Sequence, residues 1–212
     1  MNYSKTIREY CLQNEGRVLD VSYELKHHFS MVPYKTFLKI LNRLEEEKIL
    51  KKYSKGIYLI NKNELSTEDP IIAFYANEYT GIVIGYSMYN RYGITKQEEK
   101  PIVIYTNAME TTTKNIGDDY KLIYCPIQFY DVSIRSLIEA LELIENKSNI
   151  VGADLTTLSE ILINNLQYYK DFELDTILKG IKYKYSTICS LERLLNELHI
   201  ENNALKVFKD NA

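Results

Sequence analysis

The chain is short of cysteine, of long apolar runs and of tryptophan. Its three cysteines, Cys11, Cys125 and Cys189, lie far apart. An odd, scattered set argues against a disulfide framework and for a reducing compartment. No two cysteines have zinc-ligand spacing, and the histidines are only His27, His28 and His199, so no metal centre is expected. The adjacent His27-His28 pair, in a charged segment, reads as solvated more readily than as metal-bound. The longest apolar stretches, "IIAFYA" and "GIVIGY", fall far short of a membrane span. The opening "MNYSKTIREYCLQNEG" is charged and has no apolar central run like that of a secretory signal. A cytoplasmic protein is the expectation.

Catalytic motifs are missing as well. "GIVIGYSMYNRYGIT", residues 81–95, invites comparison with a phosphate loop, but the Gly-Lys-Ser/Thr ending is absent. The spaced three-glycine dinucleotide pattern is absent too. "GYSMY" lacks the second glycine of a nucleophile elbow. Asp69 and Asp118-Asp119 could hold magnesium, but "GDD" reads better as a solvated turn. The Gly-Ser and spaced carboxylates of a nucleotidyltransferase are not present. The expectation is a non-enzyme without a cofactor. The 81–95 stretch itself reads as a strand, a short helix capped at Ser87 and running to Tyr92, and a stop at Gly93.

What the chain does have is tyrosine, 19 of 212 residues. Two uses fit: half-wet interaction surfaces, or core filling with the hydroxyls at the rim. It also has divided charge. Residues 1–62 carry 12 Lys/Arg against 7 Asp/Glu, a balance of +5, and residues 63–212 carry 14 against 22, a balance of −8. A basic head on an acidic body suits a nucleic-acid reader joined to a second module.

The head reads as three helices and a hairpin. "SKTIREYCLQNEG" is a helix with Ser4 as cap and Ile7, Tyr10, Cys11 and Leu12 as its stripe. "VLDVSYELKHHF" is a short extended piece and a second helix, capped by Asp20. "VPYKTFLKILNRLEEEK" is the strongest helix, with Pro33 suited to its first position. Phe37, Ile40, Leu41 and Leu44 face one way, and Lys35, Lys39, Asn42 and Arg43 largely the other, with Tyr34 in front. "KILKKYSKGIYLI" is a hairpin turning at Gly56, with Lys51, Lys52 and Lys55 near its tip. This is the order of a winged helix-turn-helix. Its third helix would enter the major groove and its wing would touch backbone. The candidate DNA contacts are Tyr34, Lys35, Thr36, Lys39, Asn42, Arg43, Lys51, Lys52 and Lys55. A module of this shape can also serve protein contacts only.

"TFLKILNRLEEEKILKKYSKGIY" resembles the third helix and wing of AbiE-type antitoxins, the transcriptional autoregulators of type IV toxin–antitoxin abortive-infection systems. A second likeness follows in Gly85-Tyr86-Ser87-Met88-Tyr89, Gly93-Ile94-Thr95 and Pro101-Ile102-Val103-Ile104-Tyr105-Thr106. Where this chain has Met88-Tyr89 the family often has Ala-Leu. The resemblance covers roughly residues 4–130. It implies an antitoxin that counters a nucleotidyltransferase-like toxin, with or without a stable complex. It also implies repression of its own operon through inverted repeats in double-stranded promoter DNA. The other function class open to this sequence is a protein–protein adaptor, or a stand-alone regulator whose winged helix is structural.

The expected chain is therefore α+β. An N-terminal winged helix-turn-helix spans residues 1–62, a linker 63–70, and a mixed α/β antitoxin-like body with C-terminal helices 71–212. In the body "IIAFYANEY" reads as a helix, and "GIVIG", "PIVIYTN" and "YKLIYCPIQFY" as strands. "AMETTTKNIGDD" reads as a loop. From Ser133, a candidate cap, the pattern is helical to the end, opening with the stripe Ile134, Leu137, Ile138, Leu141 and Ile144. "KGIKYKYS", with Lys179, Lys182 and Lys184, is either a second nucleic-acid contact or a set of lysines lying over an apolar face.

Overall fold

The first helix, α1 (Tyr3–Gln13), starts ahead of its expected cap. Asn2 Oδ1 accepts the Lys5 amide at 3.2 Å, and Ser4 lies inside the helix. The computed structural model describes residues 2–61 and 69–211. Strand β1 (Val18–Asp20) runs straight into α2 (Val21–His27), capped by Asp20 as expected. Helix α3 (Tyr34–Glu46) begins one residue later than expected, with Pro33 at the cap position. Strands β2 (Leu50–Ser54) and β3 (Ile57–Ile60) form the hairpin. Gly56 turns it at φ +76°, where a Cβ would be strained. The three strands form an antiparallel sheet in the order β1-β3-β2. Residues 2–61 are the head below.

The expected linker at 63–70 falls outside the described residues except for its last two. Asp69 caps and Pro70 opens α4 (Pro70–Tyr75), a favourable pairing at a helix start. Strand β4 (Gly81–Ile84) leads to α5 (Tyr86–Arg91). Here Gly85 holds the cap position and no side chain bonds the first turn, so Ser87 is not the cap. Strands β5 (Ile102–Thr106), β6 (Thr113–Ile116) and β7 (Tyr120–Tyr124) complete a four-stranded sheet in the order β4-β5-β7-β6. β5 and β7 run parallel, and the other pairs are antiparallel. The expected loop "AMETTTKNIGDD" thus contains a strand. The Thr-rich run offers too little apolar alternation to announce one, and β6 is an edge strand that buries only Ile116.

Gly81 marks a close approach. A Cβ there would overlap the carbonyl oxygens of Tyr75 and Tyr105. Helix α4 and strand β5 can therefore meet β4 only at a glycine.

Five helices follow: α6 (Val132–Asn146), α7 (Leu155–Leu166), α8 (Asp171–Gly180), α9 (Tyr185–Glu197) and α10 (Ala204–Asp210). Asp131, not Ser133, caps α6, accepting the Ser133 amide at 2.9 Å. The protein is α+β, with ten α-helices and two small sheets among the described residues.

The four-stranded sheet is covered on both faces. Ile104, Ile116, Tyr120 and Leu122 point to one side and share an apolar cluster with Val18 and Ile57 of the head and Tyr75 of α4. Ile82 and Ile84 point to the other side, into the core built by α5 to α10. The head also has a core of its own, around Ile7, Leu19, Phe37, Leu41 and Tyr58. It nevertheless packs on the body as a layer and does not hang from it.

Candidate nucleic-acid interface

The apolar stripe of α3 fixes its orientation. Phe37, Ile40, Leu41 and Leu44 are buried in the head core, so the opposite face is turned outward. That face carries Lys35, Lys39 and Arg43, each four residues after the last, with Asn42 beside them, all exposed. Tyr34 at the front is 59% exposed. Thr36 is half-buried, on the flank between the two faces. The acidic finish divides: Glu45 is half-buried, Glu46 is exposed, and Glu47 is spent on Arg8 of α1.

The hairpin adds Lys51, Lys52 and Lys55, all exposed. Its returning strand leans on α3. Burial raises the Tyr58 phenol above its ordinary range, with the charge of Glu45 and nearby Tyr34 adding to it. Among the described residues, no carboxylate lies within ion-pair distance of Lys35, Lys39, Arg43, Lys51, Lys52 or Lys55. All nine candidate contacts therefore belong to one helix and the hairpin that follows it.

The second basic patch is different. Lys179 pairs with Asp175 at 2.5 Å and Lys184 with Glu145 at 2.7 Å. Tyr183 between them is buried, with its hydroxyl on Glu142 at 3.0 Å. Of this patch, only Lys182 is exposed with no ion pair to the described residues. Of the residues weighed for metal, Asp69, Asp119 and the two histidines have protein partners. Asp69 caps α4 and accepts the Tyr120 hydroxyl, and Asp119 pairs with Lys100. His27 meets Glu110 at 3.2 Å, and His28 meets buried Glu24 at 2.8 Å.

The tyrosines show a use that composition alone did not reveal. Among the described residues, seven donate their hydroxyls to carboxylates: Tyr10 to Glu24, Tyr75 to Asp20, Tyr92 to Glu139, Tyr105 and Tyr183 to Glu142, Tyr120 to Asp69, and Tyr169 to Asp171. In the body this draws Glu139 and Glu142 into the interior.

Sequence reasoning also missed the joint between head and body. Asp20 is 1% exposed. Its Oδ1 caps α2, accepting the Ser22 amide at 2.9 Å. Its Oδ2 accepts the Tyr75 hydroxyl at 2.6 Å and the Lys114 ammonium at 2.8 Å. Only the cap was readable, because the other two partners lie far along the chain.

No family model matches the chain, and no curated protein matches it. Among solved structures, the RV2827C protein of Mycobacterium tuberculosis is similar at a TM-score of 0.45 and 11% identity, over 99% of this chain and 81% of that one. A likeness at this level bears on neither activity nor partner.

Proposed function

We propose that the head is a winged helix-turn-helix that binds double-stranded DNA. We further propose that the whole chain is an AbiE-type antitoxin that represses its own operon. One observation carries the DNA reading. Lys35, Lys39 and Arg43 form a row on the outward face of α3, and Lys51, Lys52 and Lys55 follow on the hairpin, with no ion pair among the described residues. Cations left in water by the fold are available to phosphate. Tyr34, Thr36 and Asn42 supply an aromatic edge, a hydroxyl and an amide at the same surface, the groups that read base edges. In this reading α3 lies in the major groove and the hairpin rests on backbone. The antitoxin half is supported by the wing motif and by the Gly85–Tyr89 and Gly93–Thr106 motifs of the body. Its operator would be inverted repeats in the promoter, and its counterpart a nucleotidyltransferase-like toxin.

The test is fluorescence anisotropy of the chain on DNA from upstream of its own gene, at stepped salt. The expected affinity falls steeply with salt. Replacing Lys35, Lys39 and Arg43 together by alanine lowers it roughly a hundredfold and flattens the logarithmic salt slope by about three. Undiminished binding by the triple variant overturns the surface. No affinity at low salt for the unaltered chain makes it a protein adaptor instead. For the antitoxin half, co-expression with a neighbouring nucleotidyltransferase-like reading frame should restore growth.

A further inference from the structure

Helix α2 is held by the body at both ends, whereas α3 stands clear. At the N-terminal end, buried Asp20 joins α2 to Tyr75 of α4 and Lys114 of β6. At the C-terminal end, Lys26 and His27 both reach Glu110 in the segment between β5 and β6, at 2.6 and 3.2 Å. Tyr23, between the two ends, meets Phe74 of α4 edge-on at 5.5 Å and stacks on His27 at 4.3 Å. The apolar cluster between head and sheet supplies adhesion, which is not directional. Charge-assisted hydrogen bonds are directional and fix an angle. The last turn of α2 is tied to α3 through Phe29, which bonds back to the Glu24 carbonyl and packs its ring on Phe37 at 5.3 Å.

We infer that Glu110 and Asp20 are positioning residues for DNA binding. Through α2 they set the angle at which the body presents α3. This inference rests on the DNA reading above. Its consequence is that a group in the body, remote from the basic face, controls affinity without touching DNA. A pre-set angle spares the complex the ordering cost of a loosely held head.

The experiment uses the full chain with Glu110→Gln, a change at a partly exposed site that leaves the core intact. Amide hydrogen exchange should quicken across residues 21–27 and stay unchanged across α6. DNA affinity should fall about three- to tenfold, while the salt slope stays that of the unaltered chain. A lost phosphate contact would instead flatten the slope by about one. The charge-swapped pair Lys26→Glu with Glu110→Lys should recover both readouts in part, because it restores one of the two contacts and leaves His27 without its carboxylate. Asp20→Asn is the stronger variant, but its site is buried, so the Glu110 variant decides. Unchanged exchange and unchanged affinity in Glu110→Gln overturn the inference, and so does a flattened slope. If the unaltered chain shows no DNA affinity at low salt, the DNA reading falls by itself, and the exchange measurement still decides whether the body clamps α2.

Discussion

Helices α3 and α6 are similar in length, 13 and 15 residues, and both alternate apolar and charged positions. Their polar faces meet opposite fates. On α3 the apolar stripe is buried and Lys35, Lys39 and Arg43 are left in water. On α6 the glutamates go inside with the leucines: Glu139 and Glu142 are each 6% exposed. Glu139 takes Arg91 at 2.6 Å, and Glu142 takes the hydroxyls of Tyr105 and Tyr183 at 3.1 and 3.0 Å. The sheet lies on one side of α6, and α7, α8 and α9 pack around it, so its middle has no side left for solvent. A buried polar face is consumed by the fold, whereas an exposed one without partners is open to a ligand. That difference is why the function is sought on α3 and not on α6.

The comparison would break if the α6 glutamates proved dispensable. Glu142→Ala leaves the hydroxyls of buried Tyr183 and half-buried Tyr105 without an acceptor, and the expected loss is about 2–4 kcal/mol in urea unfolding. Glu142→Gln keeps an acceptor and should cost far less. The pH dependence separates the two forms of the acid. Burial pushes the Glu142 carboxyl above its ordinary value, against the hydrogen bonds from Tyr183 and Tyr105. The folded state then binds more protons than the unfolded state, so this group favours folding at low pH. That contribution is lost as pH rises from the ordinary carboxylate range through the raised value. Glu142→Gln should remove this downward slope. A variant with the same slope as the unaltered chain would show that Glu142 is not the group responsible.

A smaller effect is expected where α6 ends and reaches water. Burial pushes the Glu145 carboxyl up, but the bonds from Lys184 and Thr187 bring it below its ordinary value. Its contribution is present above the unfolded carboxylate value and fades as pH falls through the lowered one. Lys184 is 75% exposed, so the pair is largely screened. Lys184→Ala should lower stability by no more than about 1 kcal/mol. A loss as large as that of Glu142→Ala would mean that the exposed end of α6 is no different from its middle.

The same contrast explains what could be read from sequence. The α3 stripe of Phe37, Ile40, Leu41 and Leu44 was legible because one face is apolar and the other polar, the usual signature of a surface helix. The hairpin was legible from Gly56 and its flanking β-branched and aromatic residues. On α6 the stripe Ile134, Leu137, Ile138, Leu141 and Ile144 was equally plain, but it hid the burial of Glu139 and Glu142. Their Arg91, Tyr105 and Tyr183 partners are 37 to 48 residues away on other elements, and no local pattern encodes them. Asp20 was half legible for the same reason. Its cap is local, whereas its bond to Lys114 spans 94 residues. Strand β6 was missed because an edge strand needs little apolar alternation. All nine candidate contacts came from the one region where local pattern and exposure agree.

The smallest expected effect on stability is the sharpest test of the comparison. Lys35, Lys39 and Arg43 stand at successive i, i+4 positions, where like charges repel by a few tenths of a kcal/mol per pair. None has a carboxylate partner among the described residues to offset that repulsion. Alanine is also the better helix former. The triple alanine variant should therefore unfold within about 0.5 kcal/mol of the unaltered chain, and on the more stable side. Thermal unfolding of the two proteins in parallel checks this. Taken with the expected loss of DNA affinity, the two readouts move in opposite directions. A surface that weakens its own helix and strengthens only a complex belongs to the ligand. If the triple variant instead lost stability as Glu142→Ala is expected to, those cations would have structural partners. The α3 face would then be consumed by the fold as the α6 face is.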